Sequence, residues 1–115
     1  MPQIQRKAIE PDIALLEISG RITLGYECQD VERAVEDLIR DSQKKIVLDL
    51  AGLTYIDSTG VGIIVMCYGK IRAAGGELRL AALQPRIQEV LKITKLDQIM
   101  RLYPTTDAAT ENFTL

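Results

Sequence analysis

The sequence predicts an α/β domain built on a mixed sheet of four to five strands, antiparallel at one edge and parallel in its body, with helices mainly on one face. Three observations carry this. Short β-branched runs alternate with stretches of helical periodicity, the pattern of strands joined by crossover helices. The first two runs are separated by one tight turn, which makes them a hairpin. And 115 residues are too few for helices to cover both faces well. The same length gives one domain over 1–115, with its core in about 4–104.

Residues 4–9 alternate loosely, Gln5 and Lys7 opposing Ile4, Arg6 and Ala8, and read as an edge strand. Glu10-Pro11-Asp12 is a turn signal. Residues 13–18 form a more apolar and therefore more central strand, which Ser19-Gly20 should end. Over 24–41 the period changes: Val31, Ala34, Val35, Leu38 and Ile39 make one apolar stripe, with charged residues between them. Residues 46–50 read as a buried strand and 51–56 as a loop.

After Asp57-Ser58-Thr59-Gly60, helical spacing runs through Val61, Ile64, Val65, Tyr68 and Ile71, and Gly75-Gly76 stops it. Residues 77–82 are another strand. Gln84-Pro85 opens a helix carrying Ile87, Val90 and Leu91. Thr94-Lys95-Leu96-Asp97 resembles a capping box for one more turn, and 99–103 can be a last strand. Residues 105–115 read as a weak terminal helix or a frayed tail.

Composition narrows the function. Fourteen basic against sixteen acidic side chains give a net charge of −2, with no surplus to neutralise phosphates, so no direct nucleic-acid partner is expected. There is no histidine, which removes the commonest neutral-pH base, the commonest metal ligand and the relay of a nucleophilic triad. No tryptophan and five aromatics argue against base or sugar stacking. No cofactor and no metal are expected. Two cysteines make no disulfide framework: Cys67, in an apolar run, reads as a buried hydrophobe, and Cys28 as an ordinary surface thiol. No segment has signal-peptide or membrane-span character, so the expectation is a cytoplasmic protein with no membrane association. No long apolar surface stripe remains once the core is assigned, which favours a monomer.

The chemistry concentrates at Asp57-Ser58-Thr59-Gly60. The plain reading is helix capping, since Asp, Ser and Thr all bond the free amides of a first turn. The sharper reading uses the same geometry. A helix start offers unpaired N–H groups and partial positive charge, so a phosphate on an exposed serine there is tolerated. Ser58 is then a phosphoacceptor whose modification changes the surface and leaves the fold intact.

The strand Lys45-Ile-Val-Leu-Asp-Leu50, the segment Ala-Gly-Leu-Thr-Tyr-Ile and then Asp57-Ser-Thr-Gly-Val-Gly62 together resemble the signature of the STAS family, specifically bacterial anti-sigma factor antagonists. Ala74-Gly75-Gly76-Glu77-Leu78 and Gln84-Pro85 with Val90-Leu91 extend the likeness over about 4–104. The resemblance implies a STAS-type fold and a transcription regulator that works by partner switching. Ser58 matches the serine phosphorylated by a partner anti-sigma factor with serine kinase activity. Asp57 matches the neighbouring acid, and Thr59 a Ser or Thr position. Gly60 and Gly62 match glycines that keep the loop–helix junction close to the surface; all five are the implied partner-binding residues. Unmodified, the chain would bind the anti-sigma factor and release a sigma factor. A phosphoserine phosphatase would reverse the modification. Arg21-Ile22-Thr23 departs from the family, which often has acidic residues there, and bears on partner choice.

Rival functions fare less well. An enzyme using Ser58 as nucleophile lacks a histidine, and Val61 occupies the lysine position of an S-x-x-K pair, so no enzyme is expected. Val65 replaces the third glycine of a dinucleotide fingerprint. Asp49 lacks the acidic companions of a phosphoacceptor aspartate and reads as structural. The remaining alternative is a STAS scaffold subunit of a signalling assembly, or of a membrane transporter, without a phospho-switch.

Overall fold

The computed structural model describes residues 3–115. Among these, six strands and four α-helices follow in the order β1 (Gln3–Ile9), β2 (Ile13–Ile22), α1 (Tyr26–Arg40), β3 (Lys45–Asp49), β4 (Leu53–Ile56), α2 (Ser58–Ala73), β5 (Glu77–Ala81), α3 (Pro85–Ile93), β6 (Arg101–Tyr103) and α4 (Thr106–Thr110), with one 3-10 turn at Leu96–Gln98. The sheet order is β1-β2-β3-β5-β6, with β4 pairing β2 off this path. The β1–β2 pair is antiparallel and every other pair is parallel, as the alternation of elements requires.

Two expectations about the middle of the chain are corrected together. Ser19-Gly20 does not end β2, and 51–56 is not all loop. Gly20 takes φ 89°, the register shifts between Gly20 and Arg21, and the strand continues to Ile22. Gly20 faces Leu53 and Arg21 faces Tyr55, so Thr54 of β4 is the extra residue of a bulge and β2 runs on past it. β2 therefore has two successive partners on one side: β3 beside Ile13–Glu17, then β4 beside Gly20–Ile22. β4 escapes the sequence pattern because four residues with burial only at Leu53 and Ile56 show no strand alternation.

The inward alternation of the strands sorts the core. Ala14, Leu16, Ile18, Ile46, Leu48, Leu78 and Leu80 share one cluster with Val31, Val35 and Leu38 of α1, Ile64, Cys67 and Ile71 of α2, and Ile87 and Leu91 of α3. Three helices thus lie on one face. Leu96 and Met100, around the 3-10 turn, join the same cluster. That turn forms where expected but not by a capping box: Lys95 holds φ 62° without a side-chain cap, and the Thr94 hydroxyl donates back to the Val90 and Leu91 carbonyls.

The other face carries Ile13, Leu15, Val47 and Ala81, closed by Ala109 and Phe113. The terminal segment is therefore a docked cap rather than a frayed tail. Its anchor is Arg79, 4% exposed on β5. The guanidinium pairs with Glu77 at 3.2 Å and donates to the carbonyls of Ala109 and Glu111 at 3.1 and 3.2 Å. It lies 3.9 Å from the Phe113 ring centroid and 5.2 Å from that of Tyr103. A cation at a helix C-terminus satisfies carbonyls that have no intrahelical donor. At the other end of α4, the Thr106 hydroxyl donates to Asp49 Oδ2 at 3.1 Å, while Asp49 Oδ1 accepts from the Ala51 amide. Asp49 is structural, as its sequence context indicates.

Phe113→Ala should cost about 3 kcal/mol of stability, the usual range for emptying a buried aromatic site. Urea unfolding checks this; a loss below about 1 kcal/mol would mean that the terminal cap is not part of the cooperative core.

Candidate functional site

The predicted residues Asp57, Ser58, Thr59, Gly60 and Gly62 all fall on the first turns of α2, where the helix leaves β4. Asp57 is the N-cap, with extended backbone at φ −98° and ψ −178°. Its Oδ1 accepts the Gly60 amide at 2.7 Å, and its Oδ2 accepts the Leu24 amide at 3.0 Å. One carboxylate thus serves two elements, the first turn of α2 and the β2–α1 loop. The Asp57 amide itself donates to the Ile22 carbonyl at 3.3 Å. Hydrogen bonds from Gly60 and then Leu24 hold the Asp57 carboxyl below the usual carboxylate range.

Ser58 is the first helical residue and is exposed. Thr59 is half-buried and Gly60 buried. A Cβ on Gly60 would stand 2.3 Å from the Ile22 carbonyl oxygen and 2.7 Å from Ile56 Cγ1. Only glycine lets the helix start come this close to the end of β2. Gly62 is different: nothing lies within 4 Å of a Cβ built there. The two motif glycines therefore differ: Gly60 permits a close approach inside the molecule, and Gly62 leaves exposed backbone.

Gly69 is equally open. Ser58, Gly62, Val65 and Gly69 are spaced by four, three and four residues and so share one helical face, with Met66 beside them. Val65 is 37% and Met66 43% exposed. The sequence predicts no long apolar stripe outside the core, and this short exposed strip is what the fold adds. Two interior helix glycines each cost about 1 kcal/mol relative to alanine, and no packing contact offsets that cost here. What they leave is a flat, apolar face of bare backbone running away from Ser58.

Around Ser58 the surface continues onto neighbouring elements. Leu24 and Tyr26, 75% and 79% exposed, sit in the loop tied to Asp57 and at the start of α1. Tyr55 on β4 is 44% exposed, with the Arg21 guanidinium 5.0 Å from its ring centroid. The Thr23 hydroxyl of the loop donates to Glu27 in the first turn of α1. Sequence reasoning missed these outlying residues because isolated Leu and Tyr in a loop carry no periodic signal. Cys28 is also corrected. It is buried, not a surface thiol, and burial followed by the Asp57 charge pushes its thiol up. Burial pushes Cys67 up to about 12. Neither is a nucleophile at neutral pH. Among the described residues no His/Cys/Asp/Glu group could hold a metal ion, and no helix is long and apolar enough to cross a membrane.

The fold and this helix start have known counterparts. The STAS domain family model matches residues 5–109. The chain belongs to the STAS domain family. The anti-sigma-B factor antagonist of Listeria monocytogenes is 31% identical over 101 residues, 86% of each chain. The anti-sigma F factor antagonist of Paenibacillus polymyxa is 30% identical over 93 residues, 79% of this chain and 78% of that one. The crystal structure of a candidate anti-sigma factor antagonist from Thermotoga maritima superimposes with a TM-score of 0.86 at 27% identity, covering 94% of this STAS domain and 92% of that chain. The six-stranded mixed sheet with its single antiparallel pair is that of a STAS domain.

Two predictions separate structural from surface glycines. Gly60→Ala should destabilise the domain by about 2–3 kcal/mol, because backbone and a packed side chain must both give way. Gly62→Ala should raise stability by about 0.5–1 kcal/mol through helix propensity alone. Chemical denaturation distinguishes the outcomes, and equal destabilisation by both would refute the assignment. The pH dependence has a defined sign. The folded pKa of Asp57 lies below its unfolded value, so its stabilising contribution is present above the unfolded pKa near about 3.9. That contribution fades as pH falls through the lowered folded value. Thermal midpoints measured from pH 6 down to 2 should therefore fall less steeply for Asp57→Asn than for the parent chain.

Proposed function

We propose that this STAS domain is an anti-sigma factor antagonist, a binding module rather than an enzyme, acting in the cytoplasm. Unmodified, it docks on an anti-sigma factor with serine kinase activity through the open face of α2 and so releases a sigma factor. Phosphorylation of Ser58 ends that complex, and a phosphoserine phosphatase restores it. The observation that carries the reading is the exposed serine at the first helical position, framed by a fixed cap and followed by an apolar face with no packing partner. The names of the two bacterial relatives support the general role.

The geometry suits a switch that changes charge and not shape. Asp57 and Gly60 fix the backbone on either side of Ser58, so a phosphate there needs no rearrangement. The helix start attenuates its self-energy with unpaired amides. The cost falls on the docked partner. A phosphate carries about −1.5 to −2 charges at neutral pH. Like charges about 4 Å apart repel by roughly 4 kcal/mol at an effective dielectric of 20, before screening by solvent. Even about 2.8 kcal/mol is a hundredfold in affinity. Asp57, Thr59, Gly60 and Gly62 act as the rim and floor of this contact. With no histidine and no activated thiol, the chain needs its partner to supply both ATP and the transfer chemistry.

The test is incubation with purified anti-sigma factors encoded in the same genome, with ATP, followed by mass spectrometry of the chain. Phosphate is expected on Ser58 and absent from Ser58→Ala. Isothermal titration should find Ser58→Glu binding about a hundredfold more weakly than the parent, with thermal stability unchanged. Phosphate on another residue, or full affinity of Ser58→Glu, overturns the switch.

A further inference from the structure

The bulge at Thr54 of β4, opposite Gly20 and Arg21, has a second effect. It sets Arg21 opposite Tyr55 in the β2–β4 register, with Ile22 turned fully into the core and Arg21 therefore outward. The guanidinium lies over the Tyr55 ring, 5.0 Å from its centroid. Arg21 is exposed and has no ion pair among the described residues. Several other surface cations do have carboxylate partners, such as Arg6 with Asp41 and Lys45 with Asp12, both at 2.7 Å. The nearest acids along the chain, Glu17 and Glu27, are engaged by Lys7 and Thr23, and Asp57 at the start of α2 has both oxygens committed to backbone amides. Arg21 is thus a cation held in place by an aromatic ring, with its outward N–H fork unused.

We propose that Arg21, stacked on Tyr55, is a specificity-determining contact that pairs with a carboxylate on the docked protein partner. The inference rests on the docking reading of α2 and adds to it the charge of the partner's complementary surface. Stacking removes much of the rotamer freedom that an arginine loses on binding, and the planar fork fits a carboxylate with two parallel hydrogen bonds. Tyr55, under Arg21, and Tyr26 are both exposed, and tyrosine and arginine are the residue types enriched at the centres of protein interfaces. Arg21 thus makes this chain select an acidic partner surface.

The test compares Arg21→Glu, Arg21→Lys and Ser58→Glu in titrations against the same purified anti-sigma factors, at low and high salt. Arg21→Glu should weaken binding about 30-fold or more, and Arg21→Lys by about 3- to 10-fold, because it keeps the charge and loses the fork. The salt dependence of affinity should be shallower for Arg21→Glu than for the parent. An acid-to-arginine change on the anti-sigma factor should restore binding of Arg21→Glu. The proposal is overturned if Arg21→Glu binds like the parent while Ser58→Glu does not, a result that leaves the docking reading standing. It is equally overturned if Arg21→Glu lowers the thermal midpoint by more than about 8 °C, which would assign the stack to closing the β2–β4 pair. Failure of the parent chain to bind any of the anti-sigma factors overturns the docking reading and this contact together.

Discussion

The two oxygens of the Asp57 carboxylate organise the functional end of this molecule. One holds the first turn of α2 and the other holds the loop that leaves β2. A single acidic side chain can do this because the free amides of a helix start and of a turn both lack backbone acceptors. The result is a fixed junction between the end of a central strand, a loop with two exposed apolar side chains, and a helix whose outer face has no internal role. Ser58 sits in the middle of it. An asparagine in place of Asp57 would have one carbonyl oxygen where two are used, so it could retain the helix cap or the loop tether but not both.

The approach of α2 to β2 is set by sterics, since the Cβ missing from Gly60 is what brings the helix within reach of the Ile22 carbonyl. The same helix then carries Gly62 and Gly69, where the missing Cβ meets nothing. Glycine thus has opposite meanings within one element. At Gly60 it permits packing inside the molecule, and at Gly62 and Gly69 it keeps the outer surface low. A helix as apolar as α2 is ordinarily buried on all sides. Here part of that apolar character faces outward, beside the exposed Ser58.

Much of this was legible in the sequence. Periodicity located α1, α2 and α3, short apolar runs located β2, β3 and β5, and the Asp-Ser-Thr-Gly run located the cap. The misses share a cause. β4 is too short to alternate, the continuation of β2 depends on a bulge, and α4 is held by contacts far away in the chain. Arg79 shows the point well: in sequence it is a charge inside a strand, and only the fold reveals two carbonyls and two rings waiting for it. Gly60 and Gly62 are indistinguishable in the motif because the difference between them is a neighbour, Ile22, some forty residues earlier. Arg21 could be noticed as unusual, but its stacking partner Tyr55 depends on a strand that periodicity does not reveal.

Among the described residues β2 is the longest strand and the only one with three partners: β1 along one edge, β3 and then β4 along the other. The loop that bears Leu24 is its direct continuation, and the α2 start is fastened to its last residue. The recognition end therefore has no hinge separating it from the core. Local opening of the bonded amides of Leu24, Asp57 and Gly60 would have to disturb the end of the central ladder as well, which ties the conformation of this junction to that of the core.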